Sequence, residues 1–364
     1  MEYKPNLDQV IDRHRRLWSG QLARGVLAIL NIEDAPMDPY NLPDGYKGSE
    51  LDPLAQVPDI ARMFRAWEQC FSRRRELLDD WLPVARMGLG GYDLGGLLGG
   101  ELAFRGSAPF LAKPLLSDWA GLDAVELNED NAWYRHRMAM CSYFAEHARG
   151  RFACSEADNW TAGNLLELLR GSQAYLDILD TPDRCRAAMA RGLEWVSRLL
   201  SAQRQALGAV RTYRDGSFSN FYIWLPGDPV WLSMDFYGSC KPGTYRELGQ
   251  AYDEQIGERF GGLWVHMHSN ALHILPDVTR LRGLCGLGIY EDPPPQARPF
   301  ERLHEIRRWV GNIPLLIRCR LEELVAGLDD RSLPGGICYE VVNLASVREA
   351  NELMDQVRAY VPNV

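Results

Sequence analysis

The 364-residue chain lacks several features that mark well-known classes of protein. Its eight cysteines are scattered and form no Cys-x-x-Cys pair, which favours reduced thiols over a disulfide framework. No apolar run approaches the length of a membrane span, and the first six residues have no signal-peptide core. The net charge of −9 argues against broad binding to nucleic acid or anionic membranes. We therefore expect a cytoplasmic protein with a small-molecule substrate and neither nucleic-acid nor membrane partners.

Two glycine motifs for nucleotide binding are also missing. The glycine-dense run from Gly88 to Gly100 lacks the Gly-Lys-Ser/Thr ending of a phosphate loop, and its spacing is irregular. No early Gly-x-Gly-x-x-Gly turn is present, which argues against an open, doubly wound dinucleotide-binding sheet. Internal repeats, low-complexity tracts and interdomain linkers are absent as well, which predicts a single domain.

What the sequence does contain is an alternation of strand-like and helix-like segments. About eight apolar strands are each followed by a helical pattern, and they begin near Val26, Val84, Phe152, Trp231, Leu263, Gly286, Pro314 and Gly336. This alternation predicts an α/β protein with a parallel sheet, and eight units fit a (β/α)8 TIM barrel. We predict a helical extension over residues 1–25 and the barrel over residues 26–364. An open sheet is the alternative.

The segment from Gly262 to His268 is the most informative strand. Alternate side chains of a strand share a face, so Trp264, His266 and His268 point one way. The other face carries Val265 and Met267, as expected of a strand covered by helices. Two histidines at this spacing can ligate one metal ion, although hydrogen-bonded structural histidines are an equally good interpretation.

The carboxyl ends of the strands hold the other candidates, because TIM-barrel active sites lie at those ends. They carry Asn31, Glu33, Arg86, Glu156, Asp158, Asp235, His266, His268, Glu291, Arg318, Cys319 and Cys338. From this set His266, His268, Glu291 and Cys338 form a plausible zinc shell with one position open. Two members have alternative interpretations: Glu291 as a rim carboxylate paired with a loop, and Cys338 as a small buried hydrophobe, with Cys319 as its rival.

Four segments in order along the chain resemble the uroporphyrinogen decarboxylase superfamily, which includes corrinoid-dependent methyltransferases. They are Gly163–Gly171 with the following Leu179–Asp183, Val265-His-Met-His-Ser269, Val310-Gly-Asn-Ile-Pro314 and Leu333-Pro-Gly-Gly-Ile-Cys338. The resemblance implies a (β/α)8 barrel. In place of the arginine-bearing loop of true uroporphyrinogen decarboxylases, this chain has the acidic Asn31-Ile-Glu-Asp-Ala-Pro36. A tetrapyrrole with several carboxylates is therefore not the expected substrate.

The methyltransferase branch implies a zinc site. Its His-x-Cys strand, a glutamate one βα unit later and a late cysteine correspond here to His266 and His268, Glu291 and Cys338. Replacing the first cysteine by His268 lowers the thiolate count and makes the bound zinc more electrophilic.

The resulting hypothesis is a zinc-dependent methyltransferase that uses a corrinoid or another methyl donor. Its candidate partners are a corrinoid protein and a second copy of the chain in a homodimer. We predict Asp235, Asp158 and Arg318 as catalytic residues, and a substrate site made of Arg86, Tyr237, Asn270 and Tyr339. Two alternatives remain open: a cofactor-free decarboxylase of a small acid, held by Arg86 or Arg318, and a metal-free binding protein.

Overall fold

A computed structural model of the chain describes residues 1–22, 24–39, 57–88, 93–105, 108–157 and 161–362. Its strands are β1 (Val26–Ile32), β2 (Val84–Met87), β3 (Leu102–Arg105), β4 (Ala108–Leu111), β5 (Ala153–Glu156), β6 (Thr212–Tyr213), β7 (Gly216–Ser219), β8 (Ile223–Pro226), β9 (Val230–Ser233), β10 (Leu263–His268), β11 (Leu284–Tyr290), β12 (Leu315–Arg320) and β13 (Ile337–Leu344).

Helices follow most of the parallel strands. They are α1 (Leu7–Trp18), α2 (Val57–Arg73), α3 (Asp93–Leu97), α4 (Ala132–His147), α5 (Ala162–Arg170), α6 (Ala174–Asp180), α7 (Pro182–Leu207), α8 (Pro242–Thr244), α9 (Gln250–Phe260), α10 (Leu275–Val278), α11 (Leu303–Val310), α12 (Leu321–Asp329) and α13 (Val347–Ala359). A π-helical turn, Tyr245–Gly249, precedes α9, and short 3₁₀ turns include Asp235–Ser239 and Ser269–Ile274. Among the described helices, none is both long and apolar enough to cross a membrane.

The main sheet has six parallel strands in the order β1, β13, β12, β11, β10, β9, and β2 pairs with β5 in a second parallel sheet. The predicted parallel α/β architecture is confirmed, and all eight predicted strands are present in these two sheets. Within the described part of the chain, strand pairing does not join the two sheets into one ring. The closed eight-stranded barrel therefore stays a prediction.

Among the described strands, β1 is hydrogen-bonded to β13 on one edge only. On its other edge, aspartate side chains accept the backbone hydrogen bonds that a neighbouring strand would otherwise accept. Two carboxylates from the segment before β2 accept backbone N–H groups of β1, Asp80 from Ala28 and Asp79 from Leu30, both at 2.9 Å. The fully buried Lys4 ammonium lies 3.0 Å from Asp79. Buried backbone donors need partners, and these aspartates supply them where no strand lies alongside.

The inner face of the sheet is packed with aromatic rings. Trp264 is fully buried there, and Gly286 and Gly288 of the neighbouring strand leave room for it. A Cβ atom at Gly288 would lie 2.4 Å from the Trp264 ring, and one at Gly286 would lie 2.8 Å from the Trp18 ring of α1. The N-terminal helix therefore shares the core of the inner face.

Candidate metal centre

The histidine pair lies on the inner face at the carboxyl end of β10. His266 is level with Ser233 of β9 and Gly288 of β11, and His268 is level with Tyr290. The rings stand at 88° to each other, and their Nε2 atoms are 3.1 Å apart. Val265 and Met267 are fully buried on the opposite face. The strand alternation thus brings both imidazoles to one point.

Asp235 joins the pair from the turn that follows β9. Its Oδ1 lies 3.6 Å from His268 Nε2, and its Oδ2 accepts a hydrogen bond of 2.6 Å from the Ser233 hydroxyl. One ligand atom from each of Asp235, His266 and His268 lies within 4.8 Å of the others. Two imidazoles and a carboxylate are a donor set that zinc accepts.

The two histidines differ in their surroundings. Burial, together with the smaller effects of the neighbouring His268 and Arg318, lowers the pKa of His266 to about 3. His266 is therefore neutral at physiological pH, as a metal ligand must be. Phe221, at the turn between β7 and β8, stacks on the His266 ring at 5.2 Å, and Tyr290 packs at 4.8 Å. The His266 Nδ1 atom is buried and has no hydrogen-bond partner in the described structure.

Asp292 lies on the other side of His268. Its Oδ1 is 3.3 Å from His268 Nδ1, an ion-pair distance, although the angle in this ring orientation falls outside that of a hydrogen bond. Its Oδ2 accepts from the Asn270 backbone N–H at 2.8 Å and from the Ser269 hydroxyl at 3.1 Å. The carboxylate is thus held in place by the turn that follows β10.

Two of the predicted metal ligands do not reach the pair. The Glu291 carboxylate binds the Arg298 guanidinium at 2.8 Å, and Arg298 also binds Glu323. Glu291 follows Tyr290, whose ring is on the inner face, so alternation directs Glu291 away from it. Cys338 is fully buried on β13, level with Leu27 and Leu316. Burial raises the pKa of its thiol well above the usual value.

The predicted catalytic arginine and substrate-binding residues are spread over three regions. Arg318 donates to Glu340 Oε1 at 2.6 and 3.1 Å and stacks over the Tyr290 ring, beside the histidines. Asn270 is also near the pair through its contact with Asp292. Arg86 lies on β2 in the second sheet, and its guanidinium is 3.8 Å from the Asp38 carboxylate. The predicted Asp158 lies outside the described residues.

Tyr237 and Tyr339 face the helices rather than the histidines. Tyr339 alternates with Cys338 and Glu340, so its ring is in the outer layer, where its hydroxyl donates to the Pro334 carbonyl at 3.3 Å. The Tyr237 ring is fully buried against Tyr245, in space that Gly163 and Gly249 leave open. The structure therefore places both predicted substrate contacts in the packed layer of helices.

No protein-family model matches the chain, and no curated protein sequence matches it. Among solved structures, the chain is similar to a methyltransferase from Methanosarcina mazei, with a TM-score of 0.60 and 11% sequence identity. The match covers 96% of this chain and 98% of the other. At this identity the likeness shows a shared fold over nearly the whole chain. Membership of the uroporphyrinogen decarboxylase superfamily stays a prediction.

Proposed function

We propose that the protein is a zinc-dependent methyltransferase, in which His266, His268 and Asp235 hold the metal ion. The observation that carries the proposal is the convergence of two imidazole nitrogens and one carboxylate at the carboxyl end of β10. The fold similarity over nearly the whole chain to a protein described as a methyltransferase supports this choice of reaction class. The methyl donor is a corrinoid or a related carrier, and the acceptor is a small molecule bound at the metal.

The residues present fit a zinc ion. Two nitrogens at roughly 2.0–2.1 Å from a tetrahedral ion lie about 3.3 Å apart, and the two Nε2 atoms are 3.1 Å apart. The same separation also suits an N–H···N hydrogen bond between the rings when no metal is bound. Asp235 supplies a third ligand, and its side chain is 49% exposed, so solvent and substrate reach this side of the centre.

The metal supplies one piece of chemistry: it lowers the pKa of a bound acceptor, such as a thiol with a free pKa of about 8.5, so that the acceptor becomes nucleophilic. The protein residues do the positioning. Ser233 orients Asp235 through its hydrogen bond, and Phe221 and Tyr290 cover the His266 ring. The Arg318 charge beside His266 is balanced by Glu340.

The arginines do not favour the decarboxylase alternative. Such an enzyme needs a cation that faces the carboxylate of its substrate. Arg318 donates to Glu340, and Arg86 lies beside Asp38. Each guanidinium therefore already has a carboxylate of the protein next to it, and neither arrangement resembles a prepared substrate site.

The test combines metal analysis with a methyl-transfer assay. We expect one zinc ion per chain, and zinc-dependent demethylation of methylcobalamin when small thiols, amines or hydroxyl compounds are offered as acceptors. His266→Ala should lose zinc and activity together and keep its fold, since it removes a strand-end side chain. Retained zinc in this variant would refute the metal centre. Zinc binding without methyl transfer to any acceptor class would refute the reaction.

A further inference from the structure

We propose that Asp292 is a positioning residue that makes His268 a metal ligand by fixing the proton of its ring on Nδ1. The inference rests on the metal centre proposed above and adds to it a residue outside the ligand set. Asp292 contacts neither His266 nor Asp235 in the described structure. Its effect on the centre would pass through the His268 ring alone.

The geometry around Asp292 leaves one oxygen for this purpose. Its Oδ2 is occupied by two donors, the Asn270 N–H and the Ser269 hydroxyl, and the Asp292 N–H returns a hydrogen bond to the same hydroxyl at 3.1 Å. Oδ1 lies 3.3 Å from His268 Nδ1, at ion-pair distance and outside the angle of a hydrogen bond in this ring orientation. Because an ionised carboxylate only accepts hydrogen bonds, it favours the tautomer with hydrogen on Nδ1. His268 Nε2 then carries the lone pair that a metal needs.

His266 has no such partner. Its Nδ1 is buried and unpartnered among the described residues, so its tautomer is decided by the contact between the two Nε2 atoms. When His268 Nε2 carries a lone pair, the 3.1 Å contact requires that His266 Nε2 carries hydrogen in the metal-free protein. To ligate a metal through Nε2, His266 would have to carry its hydrogen on Nδ1 instead. Asp292 thus fixes the tautomer of His268, whereas the tautomer of His266 can change.

Because of these hydrogen bonds, Asp292→Asn tests the role of Asp292 more strictly than Asp292→Ala, which only removes the carboxylate. The two donors at Oδ2 hold the amide oxygen in that position, so the amide NH2 group faces His268 Nδ1. A facing donor requires Nδ1 to accept, which moves the hydrogen to Nε2 and removes the lone pair. Asp292→Ala only removes the preference. We expect the zinc Kd to rise about 10-fold in Asp292→Ala and about 100-fold in Asp292→Asn, the two ends of the usual range for such partners.

Tautomers are observed directly by ¹⁵N NMR of histidine-labelled, metal-free protein, with signals assigned from the His266→Ala and His268→Ala variants. The wild type should show His268 with hydrogen on Nδ1, and Asp292→Asn should show it on Nε2. A defect of folding alone would not exchange one tautomer for the other. The matched control is Glu291→Gln. It removes a negative charge at the residue just before Asp292, where the carboxylate binds Arg298 instead of His268. This control should leave the tautomer and the zinc Kd unchanged.

The outcomes separate this inference from the proposed function. Wild-type His268 with hydrogen on Nε2, or equal zinc affinity in Asp292→Asn and the wild type, would overturn the role of Asp292. Zinc binding with the expected order of affinities but no methyl transfer would overturn the reaction and support the role of Asp292. If the wild type binds no zinc, both the metal centre and the positioning role fall, whatever the tautomer.

Discussion

Asp253, a fully buried carboxyl group on α9, should make the free energy of unfolding depend on pH. Its Oδ2 accepts a hydrogen bond of 3.1 Å from the Tyr245 hydroxyl, and the Tyr245 ring packs on Tyr237 in the turn that begins with Asp235. Burial raises the pKa of Asp253 to about 8, against the opposing effect of its hydrogen bonds from Tyr245 and the Ala162 backbone. The folded protein therefore keeps this carboxyl protonated at neutral pH.

The sign of the pH dependence follows from the two states. In the unfolded chain the pKa of Asp253 is near its ordinary value of 3.8, and in the folded protein it is about 8. Between these values the unfolded state has released the proton and the folded state has kept it. The free energy of unfolding therefore falls by about 1.4 kcal/mol per pH unit over this window. The fall is complete above about pH 8, where both states are ionised.

Asp253→Asn should abolish this slope. The amide oxygen still accepts from Tyr245, and the group carries no charge at any pH. A buried amide NH2 without a partner costs about 1–3 kcal/mol, but that cost does not change with pH. Relative to the variant, the wild type should lose about 3 kcal/mol of unfolding free energy between pH 5.5 and pH 7.5.

The measurement is urea denaturation of both proteins at several pH values, with the difference plotted against pH so that all other titrations cancel. Asp183→Asn serves as the charge-matched control, since the Asp183 side chain is 95% exposed. A difference between wild type and Asp253→Asn that stays constant with pH would refute the reasoning.

Two further predictions concern packing and ligand choice. Gly288→Val places a Cβ 2.4 Å from the Trp264 ring, so we expect it to lower the free energy of unfolding by about 1–3 kcal/mol. Gly243→Ala, whose Cβ would meet only flexible side chains at 3.4 Å or more, is its control, and an equal effect of the two on the melting temperature would contradict the packing argument. Cys338→Ala should leave zinc stoichiometry and Kd unchanged, because its thiol is outside the ligand group; loss of zinc in a folded variant would restore Cys338 as a ligand.

The parallel α/β fold was readable from the sequence because each strand is buried on both faces and is followed by a helix. Local patterns could not show how the edge of β1 is completed. There, Asp79 and Asp80 accept N–H groups of residues some fifty positions earlier in the chain. The same limit applies to Phe221, which the sequence places in a strand-rich segment. Its contact with His266 depends on how the turn between β7 and β8 packs against the inner face.

The placement of the candidate side chains could be predicted where strand alternation decides it, and could not be predicted where the residue was chosen by its proximity to a strand end. Alternation places His266 and His268 on one face, as the structure has them. Glu291 was chosen because it follows the next strand. Alternate residues of a strand share a face, so the series Gly286, Gly288 and Tyr290 continues to Asp292. The Asp292 carboxylate lies 3.3 Å from His268 Nδ1. For Cys338 the face is correct, but the distance across the sheet is set by three-dimensional packing that no local pattern records.

The geometry also shows why three adjacent strands suffice for the centre. Asp235 follows β9, the histidines end β10, and Asp292 follows β11, and these strands are neighbours in the sheet. Because β10 lies between the other two, one carboxylate reaches His268 Nε2 and the other reaches His268 Nδ1. The three proposed ligands, Ser233 and Asp292 thus all come from residues 233–292. The centre therefore requires the β9–β10–β11 part of the sheet to be intact, and it does not depend on whether all eight strands close into a barrel.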